Sequence, residues 1–303
     1  MTAQDNHSAL RGERRFNEPL ARFTTWRVGG PARQFYRPAD SADLLQFLAS
    51  LPEDEPLLWL GLGSNLLIRD GGFAGTVIAT QGRLDGMDLV TANELRVEAG
   101  VSCAQVARFA ARQGLCGVEF LTGIPGTFGG ALAMNAGAFG GETWTQVTAV
   151  ETVDRTGRLH RRSPSDFKVS YRHVERPGEE WFLAATLRLE PGDVSESQRQ
   201  IRELLERRNR SQPIGLPSCG SVFRNPPGDF AARLIEAAGL KGAVMGGAQV
   251  SEKHANFIIN RGDATAADIE AMIRQVKERV KATSGVELIT EVHIVGDAAG
   301  GNS

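Results

Sequence analysis

The sequence predicts an α+β protein built from two or three subdomains, not a doubly wound dinucleotide fold. Three observations point there. A chain of 303 residues is longer than one hydrophobic core usually fills. Strand-like and helix-like runs are both present, and Pro191-Gly-Asp193 marks a boundary between two groups of them. Glycine loops follow predicted strands, yet none opens the long helix that the G-x-G-x-x-G fingerprint needs. Composition narrows the class further. The chain is 41% apolar and 23% charged, as soluble globular proteins are. A net charge of −2 argues against a general nucleic-acid or membrane-surface binder. No apolar run approaches the ~20 residues of a membrane span. Residues 1–15 have no apolar segment of the kind a secretory signal carries. Cys103, Cys116 and Cys219 form no CxxC pair, which reads as reduced thiols in a cytoplasmic protein. The five histidines show no metal-ligand spacing, so no metal is expected.

Taken in order, residues 1–19 read as a flexible tail, with Met1–Arg15 polar throughout. A first unit spans 20–80. It holds Phe23-Thr-Thr-Trp-Arg-Val-Gly-Gly30, a strand at 33–37, a helix from Ser41 to Leu51 with Ser41 as its cap, and strands at 57–60 and 76–79. A second unit spans 81–193. Its elements are a strand at 94–98, a helix from Ser102 to Gln113 stopped by Gly114, and a hairpin of 147–154 and 159–161 turned by Arg155-Thr-Gly157. An extended segment Phe167–Arg172 and a strand at 181–189 complete it. The third unit, 194–296, begins with a charged helix from Ser195 to Arg210. Helices follow at 229–238 and 265–283, the latter opened by Thr265 and Asp268 in a capping box. Its strands are expected at 221–224, 256–260 and 286–295, and residues 297–303 form a tail.

Two loops stand out. Gly123-Ile-Pro-Gly-Thr-Phe-Gly-Gly-Ala-Leu-Ala-Met-Asn-Ala-Gly-Ala-Phe-Gly-Gly141 has seven glycines in nineteen residues, an entropic cost that needs a reason. Bare backbone N–H groups at such turns cradle anions, and absent side chains let a flat ring lie on the main chain. A tight turn under close-packed backbone is the plainer alternative. Gly61-Leu62-Gly63-Ser64-Asn65 is a second such loop directly after a strand. Together the two suggest one extended ligand with a diphosphate, gripped from two sides, although a hairpin turn also explains the second.

Candidate chemistry lies further along. In Ser218-Cys-Gly-Ser-Val-Phe-Arg-Asn-Pro226, a period of two sets Ser221, Phe223 and Asn225 on one side. No G-x-S-x-G elbow supports a serine hydrolase. A general-acid hydroxyl suits a strongly basic carbanion, while a turn-satisfying serine explains Ser221 as well. Arg172 follows Tyr171 in an extended segment, which would point the two side chains apart; a guanidinium fork suits a carboxylate. Glu291 lies inside the apolar run Leu288–Ile294, where desolvation would favour its protonated form.

In this order the motifs resemble one family closely: the UDP-N-acetylenolpyruvoylglucosamine reductases (MurB). The match is collinear from about Phe23 to Gly296. It rests on Gly61-x-Gly-Ser-Asn65, Gly123-Ile-Pro-Gly-x-x-Gly-Gly130 with Asn135-Ala-Gly137, Tyr171-Arg172, Gly220-Ser-Val-Phe-x-Asn-Pro226, Gly239-Leu-Lys-Gly242 and Glu291. The resemblance implies a two-part FAD-binding domain of the PCMH or vanillyl-alcohol-oxidase type plus a C-terminal α+β substrate-binding domain. It implies FAD as cofactor, NADPH as hydride donor and a UDP-sugar enolpyruvyl ether as substrate, handled by a monomer in peptidoglycan synthesis. By that resemblance FAD is held by Gly61, Leu62, Gly63, Ser64, Asn65, Gly123, Ile124, Pro125, Gly126, Thr127, Gly129, Gly130, Asn135, Ala136 and Gly137. Ser221 matches the proton donor, Arg172 and Glu291 the groups that polarise the enolpyruvyl carboxylate, and Asn225 a substrate-binding asparagine. Tyr171, Arg210, Lys241 and His254 are implied as further substrate-binding residues. The chain looks like the shorter branch, without the tyrosine-bearing loop and with Ser211 where the other branch has a lysine. That leaves Arg207, Arg208 and Arg210 as candidates for the UDP diphosphate, against a solvated helix face. An FAD oxidase of alcohols or sugars, and a nucleotide-binding module without redox function, are the competing readings.

Overall fold

The computed structural model describes residues 10–300. The first unit is a four-stranded sheet ordered β1–β2–β5–β3, from β1 (Glu13–Pro19), β2 (Pro31–Arg37), β3 (Leu57–Leu60) and β5 (Phe73–Ala79). Strands β2, β3 and β5 are parallel, and β1 runs antiparallel to β2. Helix α1 (Ser41–Ala49) buries Leu44, Phe47 and Leu48 against Tyr36 and Ile78, the pattern expected of its 3.6-residue period. Its cap is Asp40, one residue earlier than expected; the Asp40 carboxylate accepts the Asp43 N–H at 2.9 Å. The expected tail at 1–19 is corrected from Glu13 onward, because Glu13–Pro19 pairs with β2 through its backbone. Charged side chains on this edge strand hide it from a hydrophobic-pattern reading. Residues 1–9 lie outside the described range.

The second unit is a five-stranded antiparallel sheet. It sets β6 (Met87–Thr91) beside β7 (Glu94–Glu98), then strands Glu180–Arg188, Val147–Asp154 and Leu159–Arg162. Helix α2 (Cys103–Arg112) begins at a capping box of Ser102 and Gln105 and turns Val106, Ala107 and Ala110 into the core. Helix α3 (Phe128–Met134) buries Phe128, Ala131 and Leu132 in the same core. Helix α4 (Val194–Ser211) packs there too, through Ile201 and Leu205. This moves the boundary expected at 193/194 to the end of α4, for a physical reason: the apolar strip of α4 is covered by α2 and the turn Glu119–Gly123.

The last unit holds α5 (Ala231–Ala237), α6 (Ala266–Ser284) and a three-stranded sheet of Val244–Met245, Ala248–Val250 and Ile258–Asn260. Thr265 and Asp268 form the expected capping box of α6. Its core is not separate from the first unit, since Trp26, Val28 and Leu67 are part of it. The Trp26 indole donates to the Ile258 carbonyl at 2.7 Å, and the Asn260 amide donates to the Trp26 carbonyl at 2.9 Å. Strand β4 (Leu66–Ile68) pairs in parallel with His293–Val295, so the chain's end returns to the first unit. The strand expected at 286–295 is thus limited to its last three residues. Asp297, placed in the expected C-terminal tail, still bridges to Gly72, and 301–303 lie outside the described residues.

Candidate active site

The loop Gly61–Asn65 leaves β3 and meets the central glycine stretch. A Cβ on Gly61 would overlap the Thr127 hydroxyl, and one on Gly63, at φ 62°, would strike the Phe23 carbonyl. Only bare backbone brings these segments so close. Among the described residues, none of the five backbone N–H groups from Gly61 to Asn65 donates to a protein acceptor. Those of Ile124, Gly126, Phe128 and Gly129, by contrast, donate to protein carbonyls. The open anion cradle is therefore the first loop, and the central stretch supplies a wall. That wall is split by what each glycine faces. A Cβ on Gly126 or Gly130 would meet nothing nearer than 3.4 Å, so a longer side chain there would project into the cavity, whereas a Cβ on Gly129 would lie 2.7 Å from that of Ala99.

Between the loops lie two joined cavities. One, of about 220 Å³, is lined by Trp59, Gly61 to Leu66, Ile124, Gly126, Thr127, Gly130, Met134, Ala136 and His293. The other, of about 270 Å³, shares Ser64, Asn65, Ile124, Met134 and Ala136 with it and adds Gly123, Pro125, Gly137, Phe139, Arg172, Gly220, Ser221 and Glu291. An apolar slot with a row of free N–H groups beside it fits a flat ring system carrying a diphosphate, and so fits FAD. Gly129 lines a smaller adjoining chamber. Asn135 is buried at φ 46° and is structural: it donates to Glu142 and the Ser170 carbonyl and accepts from Trp144 N–H.

Arg172 is positioned by strain. Tyr171-Arg172 is not extended but forms the two-residue turn between strands Lys168–Ser170 and His173–Glu175, with Arg172 at φ 55°. Instead of pointing apart, the side chains touch; the guanidinium sits 5.1 Å from the Tyr171 ring centroid. Its Nη1 donates to the Asn135 carbonyl at 3.3 Å and its Nη2 to the Gly137 carbonyl at 2.7 Å. Its Nε lies 3.4 Å from a Glu291 carboxylate oxygen, with no hydrogen bond completed. Of the five non-glycine residues with positive φ among the described residues, four, Arg27, Asn135, Phe139 and Arg172, lie in or beside this cleft. Such strain persists where surrounding structure fixes it, as at working sites.

Glu291 lies largely covered beside Arg172. Burial pushes its carboxyl above the ordinary range, against opposing pulls from Arg172 and Arg224. Ser221 enters the cavity from a bend after Gly220, which sits at φ 68°. The strand expected at 221–224 does not form. Asn256 clamps the segment instead, accepting from Phe223 N–H at 3.0 Å and donating to the Phe223 carbonyl at 2.8 Å. The shared face expected of Ser221, Phe223 and Asn225 is accordingly corrected. Phe223 is buried in the core, and Asn225 is exposed, accepting the first N–H of α5 from Ala231 at 3.0 Å.

Other candidates lie apart. Lys241 pairs with Glu236 at 3.0 Å outside both cavities. His254 is half-buried with its ring edge-on to Phe257, and desolvation lowers its pKa. Arg210 is exposed and lines neither cavity. Cys219 lines the second cavity, but burial pushes its thiol up to about 12, which leaves it inert as a nucleophile. Sequence reasoning missed Trp59, Met134, Phe139 and His293. His293 had a signal, since it stands two residues after Glu291 in the same run.

The family model of the UDP-N-acetylenolpyruvoylglucosamine reductase C-terminal domain matches residues 212–295, and that of an FAD binding domain matches residues 32–163. The first begins where α4 ends. The UDP-N-acetylenolpyruvoylglucosamine reductase of Alkalilimnicola ehrlichii is 65% identical over 95% of this chain and 96% of its own. That of Legionella pneumophila is 62% identical over 93% and 92%. The crystal structure of the Thermus caldophilus enzyme superposes with a TM-score of 0.81 at 35% identity, covering 94% of this chain and 98% of that one. With strained arginine, covered glutamate and cavity-facing serine held on that fold, the chain belongs to the UDP-N-acetylenolpyruvoylglucosamine reductase family.

Proposed function

We propose that the chain reduces the enol ether of UDP-N-acetylglucosamine enolpyruvate to UDP-N-acetylmuramate, with Ser221, Arg172 and Glu291 as its working groups. The observation that carries this is their convergence on one cavity from three distant segments, next to the free N–H row of Gly61–Asn65. FAD, held by the free N–H row of Gly61–Asn65 and the wall of the central glycine stretch and reduced by NADPH, would supply the hydride. The residues do the rest. Addition at the terminal carbon of the enol ether leaves negative charge on the neighbouring carbon, which spreads into the carboxylate. Arg172 answers that charge. Two backbone carbonyls hold its guanidinium in place, so little reorganisation remains to be done as charge develops. Burial favours a neutral Glu291, which donates a hydrogen bond instead of repelling the substrate carboxylate. Ser221 gives its hydroxyl proton to the carbon. Among the described residues no helix is long and apolar enough to cross a membrane. With three unpaired cysteines and a nucleotide-sugar substrate, we place the enzyme in the cytoplasm.

The test is anaerobic. NADPH bleaches the flavin, UDP-N-acetylglucosamine enolpyruvate is added, and the yellow colour should return within the mixing experiment. Fast return with oxygen and none with the enolpyruvyl sugar would replace this reading with an oxidase.

A further inference from the structure

Among the described residues that line the apolar slot, His293 alone carries an ionisable side chain. The fold fixes where it stands. Its backbone N–H donates to the Asn65 carbonyl at 3.0 Å, at the end of the free N–H row, and it pairs with Leu66 where the last strand joins β4. The residue is exposed along the slot, and its ring makes no hydrogen bond or ion pair with a described residue. The surrounding chain still withdraws water from it: desolvation lowers its pKa, and the charge of Arg224 adds to the effect. Glu291, two residues earlier, is itself pushed toward its neutral form, and Arg172 lies 3.4 Å from Glu291. Strand β4 and helix α3 bring only uncharged side chains to the slot. Glu270, Arg274 and Lys277 of α6 line a separate groove with Ile294, the next residue, whose side chain points to the opposite face of the strand. No carboxylate among the described residues therefore holds a proton on this ring.

A flat ring system that accepts hydride gains a negative charge, and in a slot with little water that charge needs a partner. We propose that His293 supplies it: the imidazole is neutral beside the oxidised flavin and takes one proton from solvent when the flavin is reduced. The step balances. Hydride from NADPH brings two electrons and one proton, and the single negative charge that results is matched by the single positive charge of the protonated ring. When hydride passes on to the enol ether, that negative charge is gone and the proton returns to solvent. Histidine suits the task because its ordinary pKa lets small changes in its surroundings switch its charge near neutral pH. The proposal rests on the flavin occupying the slot, and not on Ser221 or on the enolpyruvyl substrate.

The flavin's midpoint potential is measured against pH in the FAD-loaded enzyme, by anaerobic dithionite titration with a reference dye. One extra proton per two electrons steepens the fall of potential with pH by about 30 mV per pH unit, since each unit is a tenfold change in proton concentration. The unaltered enzyme should show that steeper fall around neutral pH, and His293→Gln should not. His293→Arg carries a fixed charge, so it should follow the shallow course of the glutamine variant at a higher potential, a pattern that a merely structural histidine would not produce. FAD content and melting temperature serve as folding controls. A second readout needs no variant: with the histidines labelled for NMR, one ring should titrate at higher pH in the reduced enzyme than in the oxidised one. Equal slopes in the three proteins overturn the assignment, as does the absence of any histidine whose titration follows the flavin. A potential displaced by the same amount at every pH also overturns it and makes the ring a fixed dipole. Dithionite reduces the flavin without Ser221 or substrate. Failure of the enolpyruvyl sugar to restore the yellow colour would therefore defeat the proposed reaction and leave the role of His293 standing.

Discussion

The residues proposed to do the work divide by what holds them. Ser221 is left without a strand partner, and Asn256 fixes the next residue but one, Phe223, through both its backbone groups. Ser221→Ala should leave flavin reduction by NADPH intact and slow reduction of the enolpyruvyl sugar by about a hundredfold or more, the low end for a general acid. Stopped-flow traces of the two half-reactions check this; equal losses in both would remove Ser221 from the role. Arg172→Ala should likewise spare the NADPH half-reaction and slow the second, and normal single-turnover reoxidation by substrate would count against it. Glu291 has a signature in stability. Its folded-state pKa is raised, so above the ordinary carboxylate range the folded chain keeps a proton that the unfolded chain has released. Stability is therefore lost as pH rises through that window. Glu291→Gln has nothing to titrate, so its melting temperature relative to the unaltered protein should climb as pH rises above the ordinary carboxylate range. A flat difference would show that burial does not govern this carboxyl. At this scale Ser221, Arg172 and Glu291 were legible as residue types in informative settings. The positive φ of Arg172 was not, because sequence alone gives an arginine no reason to occupy a left-handed turn.

Elements explain which glycines matter to the cofactor and which to packing. In α3, Gly129 backs onto Ala99, while Gly130 faces the cavity, its missing Cβ meeting only the Thr127 hydroxyl at 3.6 Å. Gly130→Leu should therefore keep the melting temperature of the flavin-free protein and weaken FAD binding, as fluorescence titration would report. Gly129→Val should instead destabilise the fold by about 1–3 kcal/mol through overpacking. The reverse pattern would mean the cavity wall has been read from the wrong face. Helices with strong periodicity were legible, as α2 and α6 with their capping boxes show. Edge strand β1 was not, because its pairing is carried by backbone and its side chains alternate weakly. Nor was the clamp that replaces a strand at 221–224, since a single asparagine thirty-odd residues away supplies it.

Across the whole molecule, the units are stitched by long-range contacts that no local pattern encodes. Trp26 inserts into the C-terminal core, and β4 pairs with the last strand, so the first and last units share a core and a ladder. Trp26→Ala should cost about 3–5 kcal/mol in denaturant unfolding, and a loss under 1 kcal/mol would show that the junction is loose. The cleft exists only because this stitching sets Ser221 and Glu291 against the glycine loops of the first two units. The most direct test of that account follows one flavin through both half-reactions in the Ser221→Ala enzyme under argon. Bleaching by NADPH at the rate of the unaltered enzyme, followed by recovery with the enolpyruvyl sugar slowed about a hundredfold, is the predicted result. Recovery at full speed would contradict it.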